Sequence, residues 1–412
     1  MEGYNKKVIM SYWTICRMKT TKKIYVKVSI IFLLGGILLF SSCEKEENQK
    51  IEANRKTLFM YLPWSSNLTN YFYNNISDLE KCITKIGLNN EKVIVFISTG
   101  STEAMMFEIV SSHGRCKREI LKKYKSPPFT TIDGITAILN DVKAFAPASV
   151  YTMIIGCHGM GWLPVYEMKV RSAPHMKMHW EYQGVPLTRY LGGPPAEYQT
   201  DIKSLASGIA NAGMKMEYIL FDDCYMSSIE VAYELKDVTK YLIGSTSEMM
   251  AYGMPYATVG EFLLGNPDYG SLCEGFHDFY STYEIMPCGT LAVTDCSELE
   301  NMAAIIKSIN SKYSFDKSLR GTIQRLDGYT PVIFYDFADY ITSLCNDPIL
   351  LNQFREQLNH LVPYKTHTKN FYTMAKGIIP INTFSGITTS DPSDNPMTVL
   401  KENTLWYKAA HN

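Results

Sequence analysis

The run Val150-Tyr151-Thr152-Met153-Ile154-Ile155-Gly156, followed at once by Cys157-His158-Gly159-Met160-Gly161-Trp162, decides the fold class. Its apolar residues are continuous rather than alternating, the pattern of a strand buried on both faces. A second such run, Met216 to Asp222, breaks into Asp223-Cys224-Tyr225-Met226-Ser227 and then into a helical stretch, Ile229 to Leu235. Thr57 to Leu62, Lys92 to Ile97 and Tyr241 to Ser245 read as further strands. Helical patterns separate them: one carries Ile76, Leu79 and Ile83, and another, Ile132 to Phe145, carries Ile135, Ile138, Leu139 and Val142. Strands alternating with helices predict an α/β/α sandwich with a mainly parallel central sheet covered on both faces.

In such sheets functional groups gather in loops at the carboxyl ends of strands. His158 and Cys224 each directly follow a strand, so two neighbouring parallel strands would bring them to one sheet edge. A cysteine attacks as its thiolate; an adjacent imidazole can take the proton, and a helix starting just beyond Cys224 would favour the charge. The side-chain-free backbone at Gly159 admits a substrate carbonyl, and its N–H with that of Cys224 could form an oxyanion hole. Each residue also has an ordinary reading: a cysteine at a strand end packs, and a histidine is a satisfied polar group.

The rest of the chain bounds the possibilities. Forty basic against 41 acidic residues leave a net charge of −1, so no overall field draws nucleic acid or an anionic membrane. Lys19, Lys22, Lys23 and Lys27 precede an apolar run from Val28 to Phe40, the form of a signal peptide; a single anchoring helix is the competing reading. Leu39-Phe40-Ser41-Ser42-Cys43 resembles a bacterial lipobox, which implies a lipidated Cys43 as the first mature residue. Glu44-Lys45-Glu46-Glu47 resembles the acidic tag of surface lipoproteins, placing the chain on the outer membrane of a Gram-negative cell, and Met18 is an alternative start. Residues 1–43 are then leader, 44–55 linker and 56–412 the folded domain with its C-terminal extension. The remaining cysteines are scattered without a CxxC pair, which argues against a zinc site.

Thr57 to Leu62 followed by Asn67-Leu68, HGMGW at 158–162 and DDCYMSSIEVAYEL at 222–235 together resemble the clostripain family of cysteine peptidases, of the caspase-like clan. Ser247-Glu248 and Gly253-Met254-Pro255-Tyr256 extend the likeness; Ser385-Gly386-Ile387 and Leu405-Trp406-Tyr407 do so more weakly. The resemblance implies a His158–Cys224 dyad, and an Asp222 that shapes the specificity pocket and favours Arg or Lys before the cut bond. It also implies a Trp162 that lines the cleft, unless that indole braces the loop. Members of the family can need calcium, though no DxDxDG loop is present. Cys157 stands where the family often has Asp, and Asp223 where a small residue is common. A protein or peptide substrate, contact with membrane through the lipid anchor only, and a monomer are expected. A surface lipoprotein of the same fold that binds peptide or a partner without cleaving it is the alternative. The segment from Leu163 to Ala212 has little apolar periodicity and reads as an exposed loop carrying Lys169, Arg171, Lys177 and Arg189. By the same resemblance it is a place for self-cleavage, with Lys169 or Arg171 favoured as nearest the catalytic strand end.

Overall fold

The computed structural model describes residues 54–165, 184–189 and 199–411. The leader with Cys43, almost all of the linker, and both Lys169 and Arg171 lie outside the described residues. Five parallel strands form the centre: β1 (Asn54–Leu62), β2 (Glu91–Ser98), β5 (Ala148–Ile155), β6 (Met216–Phe221) and β7 (Thr239–Gly244). Two pairs of antiparallel strands extend the sheet: β3 (Glu103–Ser112) and β4 (Arg115–Lys125) on one side, β8 (Thr290–Asp295) and β10 (Tyr364–His367) on the other. The order is β10-β8-β7-β6-β5-β1-β2-β3-β4. Two small antiparallel pairs lie outside it: β9 (Tyr335–Asp336) with β13 (Thr388–Thr389), and β11 (Asn370–Thr373) with β12 (Gly377–Pro380).

The expected α/β architecture holds, and the antiparallel flanks are additions to it. The β3–β4 hairpin escapes a hydrophobic reading because β4 is mostly exposed and carries Arg115, Lys117, Arg118, Lys122, Lys123 and Lys125. Its turn, His113-Gly114, has positive φ at both residues (51° and 67°), the geometry that suits the right-handed twist of the strands it joins.

Among the helices are α1 (Thr69–Ile86), α2 (Ile132–Phe145), α3 (Ile202–Asn211) and α4 (Ile229–Leu235). The range of α2 is the one its periodicity predicts. Helix α3 corrects the expectation of a structureless stretch up to Ala212. Asp201 caps it by accepting from the Ser204 N–H at 2.8 Å, and Ile202, Leu205 and Ile209 bury one face against α2. Gly208 lets the two helices close, since a Cβ there would stand 2.6 Å from Ile135 Cγ2. No helix among the described residues is long and apolar enough to cross a membrane. The eight described cysteines are all unpaired, and six of them are buried.

Candidate active site

Strands β5 and β6 pair in parallel with Ile155 opposite Phe221, so the loops after them leave the same sheet edge. The Asp222 N–H donates to the Ile155 carbonyl at 2.8 Å and ties the two exits together. Beyond them the loops touch through backbone: a Cβ on Gly159 would fall 2.2 Å from the Cys224 carbonyl oxygen and 2.8 Å from the Cys224 nitrogen. Only glycine fits there. Tyr225, next in the chain, sits at φ 62°, a strained value for a bulky residue. Its ring stacks on Phe334 at 4.9 Å and its hydroxyl donates to Glu248 Oε1 at 3.0 Å, contacts that hold the turn.

His158 Nε2 lies 2.9 Å from Asn67 Oδ1, so Asn67 orients the ring. Cys224 is fully buried. The Met249 N–H donates to its sulfur at 3.2 Å. Burial, with Glu248 next in weight, pushes the thiol well above its usual range, so it is neutral in this state. Helix α4 starts at Ile229 and Ser228 Oγ caps its Val231 N–H, so residues 225–228 separate the helix end from Cys224. The N–H at the sulfur comes from Met249, not from a helix terminus as the sequence suggests. Asp223 turns toward Cys157, accepting from its N–H at 2.7 Å and its thiol at 3.2 Å, and burial pushes its carboxyl up to about 7.

A short segment of the chain occupies this edge. Leu187-Thr188-Arg189 runs antiparallel to Met249-Met250-Ala251, with Thr188 opposite Met250. The Arg189 N–H donates to the Met249 carbonyl at 2.7 Å, and the Ala251 N–H donates to the Leu187 carbonyl at 2.9 Å. The Gly159 N–H, expected as an oxyanion donor, donates to the Arg189 carbonyl at 3.4 Å. The arginine side chain is wholly buried, with Nη1 3.0 Å from Asp222 Oδ2. Nη1 also donates to the Asp222 carbonyl and Nη2 to Asn75 Oδ1, both at 2.6 Å, and the Phe72 ring lies 5.5 Å from the guanidinium carbon. Burial opposes the charge on Arg189, yet Asp222, with Tyr256, Asp223 and Tyr280 adding to it, offsets that cost and holds the pKa above the usual value. Burial pushes Asp222 up, while Arg189, the Tyr256 hydroxyl (2.9 Å) and the Met254 N–H (2.9 Å) pull it back. Gly253, at φ 78°, leaves the space: a Cβ would lie 2.1 Å from Arg189 Nη2.

The structure therefore brings the loop of His158 and Gly159 against the loop of Asp222 and Cys224. Trp162 is buried and donates its indole N–H to Ser390 Oγ at 2.9 Å, a bracing position. Arg189, Asn67, Glu248 and Gly253 are the residues that the sequence reading gives no role at the site. Three of them stand in the quoted motifs, and Arg189 is one of the four basic residues named for the loop. Among the described residues, no group of three or more His, Cys, Asp or Glu side chains is placed to hold a metal ion.

A clostripain family model matches residues 196–391. No curated protein matches the chain. Among solved structures, a secreted C11 cysteine protease from Bacteroides thetaiotaomicron, "iotapain", is 57% identical over 87% of this chain and 99% of its own, with a TM-score of 0.81. A clostripain from Bacteroides thetaiotaomicron ATCC 29148, in complex with the peptide inhibitor BTN-VLTK-AOMK, is 64% identical over 54% of this chain and 99% of its own, with a TM-score of 0.53. An inactive zymogen C11 protease from Parabacteroides distasonis is 25% identical over 87% and 98%, with a TM-score of 0.71.

Proposed function

The chain belongs to the clostripain family of cysteine peptidases, and from that premise we propose that it is an endopeptidase cutting after arginine or lysine, seen here with its own Arg189 in the substrate's place. The observation that carries this reading is Arg189 on Asp222. A buried carboxylate against a guanidinium selects a cation, and Gly253 leaves the room for it. The peptide in the solved complex supports it, since VLTK ends in lysine and sets threonine and leucine before it, the order of Leu187, Thr188 and Arg189 here.

The chemistry then runs on two residues. The Cys224 sulfur attacks the carbonyl carbon of the basic residue. Donation of Nε2–H to Asn67 leaves the lone pair on His158 Nδ1 to take the thiol proton. The N–H groups of Gly159 and Cys224 hold the oxyanion, His158 returns the proton to the leaving amine, and water hydrolyses the thioester. Self-cleavage falls after Arg189 in this reading, because that residue already lies in the pocket with its carbonyl on Gly159. Cys43 remains the proposed lipid attachment site. An extracytoplasmic location agrees with the relative described as secreted, and the outer membrane is the proposed anchor site.

The test is hydrolysis of short fluorogenic peptides ending in Arg, Lys or Asp by the purified mature chain. Cleavage of the first two and not the third is expected. Preference for Asp would remove the pocket assignment.

A further inference from the structure

We propose that Glu248 selects a threonine at the position immediately before the basic residue, a specificity that rests on reading Arg189 as the residue before the cut bond. Thr188 occupies that position in the internal segment. It is fully buried, and its hydroxyl donates to Glu248 Oε2 at 2.6 Å, the short distance of a hydrogen bond to a carboxylate. Glu248 is itself only 3% exposed. Its other partners belong to the body of the enzyme: the Met374 N–H donates to Oε2 at 3.1 Å, and the Tyr225 hydroxyl to Oε1 at 3.0 Å. Those two contacts fix the carboxylate from outside the bound segment. One oxygen is thus aimed at the incoming side chain before any substrate arrives.

The backbone register supports the assignment. Thr188 bridges Met250 while Arg189 enters the Asp222 pocket, so the hydroxyl reaches Glu248 only when the arginine is seated. Valine has the shape of threonine without the hydroxyl, and it would leave a buried carboxylate one donor short. Burial pushes the Glu248 carboxyl up to about 7, so above that pH the hydroxyl meets a charged group, and loss of a hydrogen bond of this kind changes an equilibrium by roughly tenfold to a hundredfold. A site built to bond a substrate hydroxyl rejects the analogue that lacks it more strongly than an apolar pocket rejects a missing methyl.

The test uses the mature chain and three fluorogenic peptides, Leu-Thr-Arg, Leu-Ser-Arg and Leu-Val-Arg, compared by kcat/KM. Threonine should exceed valine by about tenfold to a hundredfold, with serine between them. In Glu248→Leu, which has no oxygen to accept from the hydroxyl, the threonine-to-valine ratio should collapse toward one; a change in absolute rate alone counts against the role. In the intact precursor, Thr188→Val should slow self-cleavage by a similar factor. Equal use of threonine and valine by wild type, with arginine peptides still cut, overturns this inference and leaves the proposed function standing. A chain that cuts neither itself nor any basic peptide removes both.

Discussion

Cys224 and Asp222 stand two residues apart, yet their surroundings assign them opposite tasks. The thiol is buried and neutral, waiting on a base, whereas Asp222 is held by two donors, the Met254 N–H and the Tyr256 hydroxyl, against the cation of Arg189. Cys224→Ala should leave the thermal midpoint near that of wild type and lower kcat by at least about a thousandfold. Near-normal turnover in a folded Cys224→Ala protein would discard the nucleophile. Asp222→Asn keeps the shape of the pocket and removes its charge. Breaking a buried pair costs about 3–5 kcal/mol, so kcat/KM for Arg and Lys peptides should fall at least about a hundredfold, with peptides lacking a cation barely affected. Parallel losses on both kinds of peptide would show a structural role instead. His158 and Cys224 are legible because each follows an apolar run, where a sequence can be read against a strand, whereas Asp222 enters only through the family resemblance. Arg189 was visible only as one of four loop cations. Closeness along the chain points to Lys169 and Arg171, which lie outside the described residues, whereas the pairing that seats Arg189 runs through its neighbour Thr188, which bridges Met250 sixty-odd residues away.

At the scale of elements, the parallel strands and α2 were readable because their burial repeats regularly. Helix α3 was not, since Ile202, Leu205 and Ile209 are few and follow a polar stretch; its cap, Asp201, was the available signal. Helix α4 has only seven residues, and its packing depends on Glu230. The buried carboxylate accepts from the Ser390 N–H at 2.6 Å and the Thr389 hydroxyl at 3.1 Å, fastening the helix to strand β13 and its continuation. Burial pushes the Glu230 carboxyl up to about 7 from an ordinary 4.5. The folded state therefore binds a proton that the unfolded chain releases between those values. The stability this proton supplies is complete below about pH 4.5 and is lost as pH rises to about 7. Glutamine accepts the same two hydrogen bonds and has no charge to bury. In a Cys224→Ala background, Glu230→Gln should match its parent near pH 4.5 and exceed it at pH 8 by up to about 3 kcal/mol. Denaturant melts at the two pH values measure this, and a pH-independent difference would refute the account.

Across the whole molecule, the position of the proposed cut has a consequence for what remains. Strands β1 to β5 precede Arg189, and β6, β7, β8 and β10 follow it. The two sets are joined at the centre of one sheet, where β5 pairs with β6 from Met153–Ile219 to Ile155–Phe221, all buried on both faces. Separating the pieces would expose that ladder and the apolar layers on either side, with no partner for either strand edge. The C-terminal part also braces the catalytic turn from its own side: the Ser227 hydroxyl donates to the Gly386 carbonyl at 2.7 Å and the Thr388 N–H to the Ser227 carbonyl at 3.0 Å. Cleavage should therefore free the arginine pocket without dismantling the fold. Wild type is expected to give two bands on a denaturing gel, with the downstream fragment beginning at Tyr190, yet to elute from a sizing column as one species of the uncut mass. Cys224→Ala and Arg189→Ala should each give one intact band, the first for want of a nucleophile and the second for want of a cation in the pocket. Fragments that part in native buffer would contradict the shared sheet, and a fully active wild type with one full-length band would end the case for a cut after Arg189.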